Sequence, residues 1–318
     1  MVDGPPLIVL GVRRSGTTLL RVMLDRNPML AVPDESYFVP QLARRHRSPV
    51  DPASFLDDLR RLPTLVEWSL SPDAVAERLD GGMSTGEAVA AVFQAYAAER
   101  GKPRWGDKTP LYMQYLPVLE RLFPGALYVH LIRDGRDAAL SFLSVPEGIM
   151  TTGWGHPRDA AGFACQWATE VRAGRALGAR VGPTRYLEVR YERLVADPEE
   201  ELRRVCAFSG LEYDGAMLGY VGQTDSARKE HQRRLDEPPR VGVRNWHTEM
   251  SAEDRSAFEG IAGDLLGELG YDVSMRGHDG SKLAVYRMKS TAWRSLGALT
   301  QRSPLWRRRH AVLQDGHS

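Results

Sequence analysis

The sequence predicts an α/β fold built on a doubly wound parallel sheet, and two observations support this prediction. Short apolar runs, typical of strands that are buried on both faces, alternate with amphipathic helical patterns. The segments between them are short, as in units where a helix connects neighbouring parallel strands. A chain of 318 residues is long enough for one large domain or for a domain with a substantial appendage.

The first strand and helix are predicted near the N-terminus. The run LIVLGV, which starts at Leu7, predicts a buried strand that ends in glycine. The next segment, SGTTLLRVMLDRNP, has leucine and methionine at helical spacing and predicts a helix that ends before Pro28. From about residue 37 to residue 104 the patterns are helical, with proline and glycine breaks and no clear strand. This segment predicts a helical insertion that covers a substrate cleft.

The second half of the sheet is predicted from two further strands and the helices on either side of them. A helix, YMQYLPVLERLF, starts at Tyr112 and is followed by the strand ALYVHLIR and the helix DGRDAALSFL. The strand TRYLEVRY precedes the helix DPEEELRRVCAFSG, in which Asp197 is the expected cap and proline occupies the first turn. The segment SAEDRSAFEGIAGDLLGELGYD is the last predicted helix of a body that extends from residue 1 to 275.

Composition and charge limit the class of protein. The formal net charge of +1 gives no reason to expect a nucleic-acid partner. The N-terminus has no basic segment, and no window approaches the ~18 apolar residues of a membrane span, so a cytoplasmic protein is expected. Residues 276–318 contain nine Lys or Arg against two Asp. This basic extension is expected to be a solvated end or a helical tail that contacts a membrane surface or a second copy of the chain.

The glycine-rich loop from Gly11 has the spacing G-x-x-x-x-G-T-T, which is P-loop-like but has Thr17 where a P-loop has its lysine. Backbone N–H groups and the helix dipole of such a loop bind an anion, and an ordinary tight turn is the alternative. Without this lysine, a bound γ-phosphate would lack the main positive charge that it faces in a P-loop. Arg14, Thr17 and Thr18 are instead expected to hold a less charged terminal group, such as a sulfuryl group, without magnesium.

The segment LIRDGRDAALS predicts a second anion site. Arg133 and Arg136 flank Asp134-Gly135 at the end of a predicted strand, and Ser141 lies two turns into the next helix. Two arginines at the carboxyl end of a parallel strand favour binding of a phosphate. The alternative is a cluster of salt bridges within the R-D-G-R-D segment.

Two such anion sites match a nucleotide that is phosphorylated at both ends. GVRRSGTTLLRVMLD resembles the 5′-phosphosulfate loop of the sulfotransferases, and LIRDGRDAALS resembles their 3′-phosphate motif. The resemblance is strongest for the tyrosylprotein sulfotransferase branch and related bacterial enzymes, and it covers roughly residues 5–272. It implies transfer of the sulfuryl group of 3′-phosphoadenosine 5′-phosphosulfate (PAPS) to a hydroxyl group.

The resemblance also implies roles for individual residues. The 3′-phosphate would be held by Arg133 and Ser141. Tyr191 would lie beside the adenine, although packing explains a tyrosine at the end of a strand equally well. The late loop PPRVGVRNW departs from the pattern of the cytosolic branch, and it would provide Arg240, Arg244 and Trp246. The residues expected at the 5′-phosphosulfate are Arg14, Ser15, Gly16, Thr17 and Thr18.

The catalytic base is expected at Glu35, in VPDESYFVP, which lies where the tyrosylprotein branch has its glutamate. The histidine of the cytosolic branch is replaced by Pro110. Asp34 is the fallback, and the alternative is that both carboxylates cap a helix from Ser36. Lys108 matches a family lysine near the transferred group, where together with Arg14 it would stabilise developing charge.

Other candidates and alternatives remain at this stage. Trp105 and Trp154 line an acceptor cleft or belong to the core. The histidines have no ligand spacing, so no metal is expected. The acceptor is expected to be a small metabolite, carbohydrate or lipid. A P-loop kinase and a non-catalytic nucleotide-binding regulatory module are the alternative functions.

Overall fold

The computed structural model describes residues 4–145, 157–220 and 244–274, together with Met288. Three features that the sequence predicts lie outside these ranges. They are Arg240, Trp154 and the basic extension apart from Met288. The chain divides into two compact units. Of the described residues, 4–133 and 170–220 belong to the first unit, and 134–145, 157–169, 244–274 and Met288 belong to the second.

The first unit contains a five-stranded sheet in which every strand runs parallel to its neighbours. The strands are β1 (Leu7–Leu10), β2 (Leu30–Ala31), β3 (Arg104–Lys108), β4 (Leu127–Ile132) and β5 (Tyr186–Arg190). Their order is β2-β3-β1-β4-β5, so the chain reverses its direction of progress across the sheet at β1. The predicted α/β class and the parallel sheet are confirmed. In such sheets, ligands bind outside the carboxyl ends of the strands, at the point of reversal.

Helices cover the sheet and form the second unit. The α-helices are α1 (Thr17–Asp25), α2 (Val39–Arg45), α3 (Pro52–Arg60), α4 (Pro63–Glu67), α5 (Pro72–Ala76), α6 (Thr85–Glu99), α7 (Leu116–Leu122), α8 (Gly135–Leu143), α9 (Ala160–Val181), α10 (Tyr191–Ala196), α11 (Pro198–Ser209), α12 (Trp246–Glu249) and α13 (Ala252–Glu268). Two 3₁₀ helices are Pro110–Gln114 and Gly215–Leu218. No helix within the described ranges combines the length and the hydropathy of a membrane span.

Strand β1 is buried on both faces, as its continuous apolar sequence predicts. Ile8 and Leu10 belong to one hydrophobic core, and Leu7 and Val9 belong to another. Alternate residues of a strand point to opposite faces, so the two cores lie on the two sides of the sheet. Burying each of these side chains contributes roughly 1.5–3 kcal/mol, which fixes the strand that leads into the glycine-rich loop.

Most predicted elements of the sheet are present, and two predictions need correction. The strands predicted in ALYVHLIR and TRYLEVRY are β4 and β5. The predicted sheet lacks β3, which begins at Arg104, where the helical insertion was expected to end. The helix predicted from Tyr112 is a 3₁₀ helix followed by α7, which has Pro117 in its first turn. Proline has no N–H group, so it begins a helix more readily than it continues one.

The second unit has its own apolar contacts. Trp167 of α9 packs at a tilt against Phe258 of α13, with ring centroids 5.9 Å apart. Phe142 of α8 packs in the same way against Phe163 of α9 at 4.9 Å. Gly135, at the start of α8, has no room for a side chain, because a Cβ there would overlap the rings of Phe258 and Trp167. These contacts hold α8, α9 and α13 together.

Candidate active site

The glycine-rich loop between β1 and α1 contains two residues in the left-handed region of backbone conformation. Arg14 has φ 71° and Gly16 has φ 89°. Alternation of right- and left-handed residues turns backbone N–H groups toward one point, which is the geometry of an anion-binding nest. Gly16 also has no room for a side chain, because a Cβ there would overlap the Tyr191 ring. The loop has the form that its glycine spacing predicts.

Two further features of this loop suit an anionic ligand. The Ser15 hydroxyl is buried and has no hydrogen-bond partner among the described residues. Gly16 is the N-cap of α1 and supplies no side-chain hydrogen bond to the first turn, which begins with Thr17 and Thr18. A buried hydroxyl seeks a partner, and an uncapped helix N-terminus attracts negative charge. The loop therefore fits the phosphosulfate end of a nucleotide.

Arg133 and Tyr191 lie beside this loop. Arg133 follows β4, and its guanidinium group donates a hydrogen bond of 3.2 Å to the carbonyl oxygen of Arg14. The same guanidinium lies over the Tyr191 ring, with its carbon 4.4 Å from the ring centroid. Tyr191 directly follows β5 and contacts Gly16 on the loop. Three neighbouring strands thus bring a cation, an aromatic ring and the anion loop to one edge of the sheet.

Glu35 and Lys108 form an ion pair at the same edge. The Lys108 Nζ atom lies 2.6 Å from Glu35 Oε1 and 3.3 Å from the Thr18 hydroxyl. Lys108 is the last residue of β3, pairs in register with Val9 of β1, and is only 1% exposed. Burial lowers the pKa of Lys108, and the Glu35 carboxylate opposes this shift. The pair connects the predicted base to the first turn of α1.

Asp34 points to a different partner. Its carboxylate lies 3.1 Å from the guanidinium of Arg21 on α1, so it does not share the ion pair with Lys108. Neither acidic residue is the N-cap of a helix, because α2 begins at Val39 and its N-cap is Phe38. The helix-cap alternative is wrong. The two adjacent acidic residues therefore have distinct environments.

Ser36 joins the loop that carries Glu35 to the end of β3. Its hydroxyl donates to Asp107 Oδ1 at 3.0 Å and lies 2.7 Å from the Tyr112 hydroxyl. Its backbone N–H donates to the Thr109 hydroxyl at 2.9 Å. All four residues are buried. Because Glu35 precedes Ser36 and Lys108 follows Asp107, this network fixes the two ends of the ion pair relative to one another.

Asp107 is buried within this network, and only one of its two carboxyl oxygens has hydrogen-bond partners among the described residues. Ser36 and Thr109 both hydrogen-bond to its Oδ1 atom, whereas its Oδ2 atom has no partner among the described residues. Burial raises the pKa of Asp107 to about 7, and these hydrogen bonds oppose the rise. The carboxyl group is therefore partly protonated near neutral pH.

Replacing Asp107 with asparagine is expected to change how stability depends on pH. Folding raises the pKa from 3.8 to about 7, so the folded state retains this proton and the wild type loses stability as pH rises from 3.8 to about 7. A rise of this size corresponds to up to ~4 kcal/mol. Asparagine does not titrate, so the free energy of unfolding of the variant should increase relative to that of the wild type as pH rises. Urea unfolding at several pH values measures this difference. A pH-independent difference between the two proteins would contradict this.

The second anion site is not formed by both arginines. Arg136, on α8 in the second unit, is fully buried and lies 2.7 Å from Asp134 Oδ2 and 2.7 Å from Glu259 Oε1. Asp134 also caps α8 by accepting from the Arg136 backbone N–H at 2.9 Å. The prediction that Arg136 binds a phosphate is wrong, and the salt-bridge alternative is correct for this residue. Its charge is already balanced by two carboxylates.

The other predicted nucleotide contacts in the second unit are Ser141, Arg244 and Trp246. Ser141 lies on α8. Arg244 donates to the Ser144 hydroxyl at 2.8 Å and pairs with a carboxylate on α12. The Trp246 ring is 5% exposed and contacts the guanidinium of Arg136, 3.5 Å from the ring centroid. Trp246 therefore packs in this unit, and its contact with a nucleotide stays a prediction.

Trp105 is a core residue. It is buried on β3 and stacks on Phe93 with ring centroids 4.6 Å apart, as the core alternative predicts. Within the described ranges, no group of three or more His, Cys, Asp or Glu side chains is placed to hold a metal ion.

Three residues around Glu35 were not identified from the sequence. Ser36 and Asp107 hold the ion pair in place, and Tyr37 places its hydroxyl against Glu35 Oε2. The sequence contains two weak signals for them. Ser36 and Tyr37 directly follow the predicted base, and Asp107 directly precedes the predicted lysine. The side-chain contacts of Ser36 join residues 71 to 76 positions apart, whereas the contact of Tyr37 joins residues two positions apart.

Comparisons with known proteins identify relatives along most of the chain. The model of the family described as "Sulfotransferase family" matches residues 5–215. The nodulation protein NoeE of Sinorhizobium fredii is 32% identical over 304 residues, which cover 85% of this chain and 67% of that protein. A putative protein-tyrosine sulfotransferase of Caenorhabditis briggsae is 26% identical over 286 residues, covering 87% of this chain and 93% of that protein.

Solved structures show the same arrangement. The sulfotransferase domain from the olefin synthase of Synechococcus PCC 7002 is 26% identical, with a TM-score of 0.55, over 85% of this chain and 95% of that domain. The sulfotransferase domain from the curacin biosynthetic pathway has a TM-score of 0.56 at 20% identity, over 86% of this chain and 100% of that domain. The second likeness supports the fold alone.

Proposed function

The chain belongs to the sulfotransferase family, and we propose that it transfers the sulfuryl group of PAPS to a hydroxyl group of a small metabolite, carbohydrate or lipid. The observation that carries this proposal is the Lys108–Glu35 ion pair, which lies against Thr18 in the first turn after the anion loop. A base and a cation are thereby joined to the loop expected to hold the transferred group. A nucleotide-binding regulatory module has no need of this pair.

The first unit carries the residues proposed to hold the donor. The residues of the loop, Arg14, Ser15, Gly16, Thr17 and Thr18, would hold the 5′-phosphosulfate. Thr17 in place of a lysine favours a sulfuryl over a γ-phosphoryl group, because a sulfuryl group carries less negative charge. Arg133 would contact the 3′-phosphate, and Tyr191 would lie beside the nucleotide. In the second unit, Ser141 and Arg244 remain predictions from the family motifs.

Glu35 is proposed as the general base. It accepts the proton of the acceptor hydroxyl as a bond forms between the acceptor oxygen and sulfur. The bond between sulfur and the bridging oxygen of the 5′-phosphate breaks, and adenosine 3′,5′-bisphosphate leaves. Lys108 and Arg14 stabilise the negative charge that develops on this bridging oxygen. Ser36 and Asp107 position Glu35 through the buried hydrogen bonds described above.

Replacing Arg133 with alanine is expected to weaken binding of adenosine 3′,5′-bisphosphate far more than binding of AMP. The two nucleotides differ by the 3′-phosphate, and a hydrogen bond to a charged group contributes roughly 1.5–3 kcal/mol, so the selective loss should be about tenfold to a hundredfold. Calorimetric titration measures both affinities. Arg203→Ala is a matched control, because Arg203 is exposed on α11 and forms its ion pair with its helix neighbour Glu199. Equal losses for the two nucleotides would show that Arg133 does not contact the 3′-phosphate.

The acceptor class is tested by transfer from PAPS that carries radiolabelled sulfur. Fractions of a metabolite extract are incubated with the protein, and labelled products are separated and identified. We expect label in hydroxyl-bearing small molecules, and far less label when Glu35→Gln replaces the wild type. Transfer of a phosphoryl group from ATP by the wild type would instead favour the kinase alternative.

A further inference from the structure

Both oxygens of the Glu35 carboxylate are engaged. Lys108 holds Oε1 at 2.6 Å, and the Tyr37 hydroxyl donates a hydrogen bond to Oε2. Lys108 is buried, whereas Tyr37 is 51% exposed. The two partners thus approach the carboxylate from the protein interior and from the solvent side.

This arrangement determines which oxygen an acceptor can use. A base must lie within hydrogen-bond distance of the proton that it removes. Lys108 is fixed by its second contact, to Thr18, and by its position in β3, so Oε1 is not available to a molecule that enters from solvent. The remaining oxygen, Oε2, is the one that Tyr37 covers. An acceptor hydroxyl that enters from solvent therefore meets the Tyr37 hydroxyl at this oxygen.

The backbone holds Tyr37 in this place. Tyr37 has φ 47°, in the left-handed region that a residue with a bulky side chain rarely adopts. The residues on either side, Ser36 and Phe38, are buried, and the Phe38 N–H donates to the Ser36 carbonyl oxygen across Tyr37. Anchored neighbours and a strained residue between them keep the tyrosine side chain outside the core. Such strain is frequent at functional sites.

We propose that Tyr37 is a specificity-determining residue that keeps water from the base until an acceptor hydroxyl displaces it. The inference rests on the proposed function of Glu35. Water is the acceptor that is always present, and its attack would waste the donor. In that side reaction a bond forms between water oxygen and sulfur while Glu35 takes a proton. The bond to the bridging oxygen breaks, giving sulfate and adenosine 3′,5′-bisphosphate.

The test uses PAPS alone, without any acceptor. Tyr37→Phe removes the hydroxyl and retains the ring, so release of adenosine 3′,5′-bisphosphate from PAPS is expected to rise by about tenfold, the effect of one hydrogen bond to a charged group. The double variant with Glu35→Gln is expected to lose this rise. Tyr213→Phe is the matched control, since Tyr213 contacts Arg203 away from Glu35, and it should release product at the wild-type rate.

An unchanged or lower rate of hydrolysis in Tyr37→Phe overturns the inference, and so does a rise that persists with Glu35→Gln. Titration of the same preparations with adenosine 3′,5′-bisphosphate separates this failure from that of the proposed function. If the wild type does not bind the nucleotide, the proposed function fails and the inference falls with it. If all variants bind it equally and hydrolysis does not respond to Tyr37, only the inference is wrong.

Discussion

Replacing Glu35 with glutamine is expected to lower the rate of sulfuryl transfer by about 10²-fold or more while PAPS still binds. Glutamine has nearly the same shape as glutamate but cannot accept the acceptor proton. Its amide oxygen can still receive a hydrogen bond from Lys108, so the donor site should persist. Single-turnover rates and calorimetric PAPS affinity, measured on the same preparation, separate chemistry from binding.

The neighbouring carboxylate provides the control for this prediction. Asp34 pairs with Arg21 rather than with Lys108, so Asp34→Asn should leave the transfer rate near that of the wild type. If Glu35→Gln transfers the sulfuryl group at the wild-type rate, or if Asp34→Asn lowers the rate equally, Glu35 is not the base. An alcohol acceptor should show a larger effect than a phenol, because a phenol with a pKa near ~10 loses its proton more easily.

Replacing Arg136 with alanine is expected to cause the largest loss of stability, about 3–5 kcal/mol, because two buried carboxylates lose their shared cation. The side chains of Asp134 and Glu259 are 7% and 0% exposed, so water cannot replace the guanidinium group. For a protein of this size, the melting temperature should fall by roughly 10 °C. Thermal unfolding followed by circular dichroism measures this change.

The matched substitution is Arg203→Ala on α11. Its side chain is 58% exposed and forms an ion pair within one helix turn, so the expected loss is below ~1 kcal/mol. Similar melting temperatures for the two variants would mean that Arg136 does not hold the second unit together.

The parts of the fold that were predicted correctly have local signals. β1 and β4 are largely apolar runs, β5 contains tyrosine and valine, which favour strands, and α11 begins with a capping aspartate and proline and ends at a left-handed glycine. β3 was missed because its sequence, RWGDK, is polar and charged yet entirely buried. Its charges are accommodated by partners elsewhere, such as Glu35 for Lys108, and no local pattern reveals them.

The same distinction applies to the candidate site. The loop spacing predicts an anion site, and the resemblance to the sulfotransferases assigns Glu35 and Lys108 to one site before their contact is known. The partner of Arg136 is different, because Glu259 lies 123 residues away, so a buried salt bridge and an anion site look alike in the sequence. The contacts of Tyr37 and Ser36 depend on backbone geometry that composition does not specify.

The central claim is that the cradle of the first unit binds a nucleotide with a 3′-phosphate and a 5′-phosphosulfate. Calorimetric titration with adenosine 3′,5′-bisphosphate and with ATP, each with and without magnesium, tests it most directly. The account predicts that the bisphosphate binds without magnesium and that ATP binds much more weakly under either condition. Magnesium-dependent binding of ATP that is tighter than binding of the bisphosphate would contradict it.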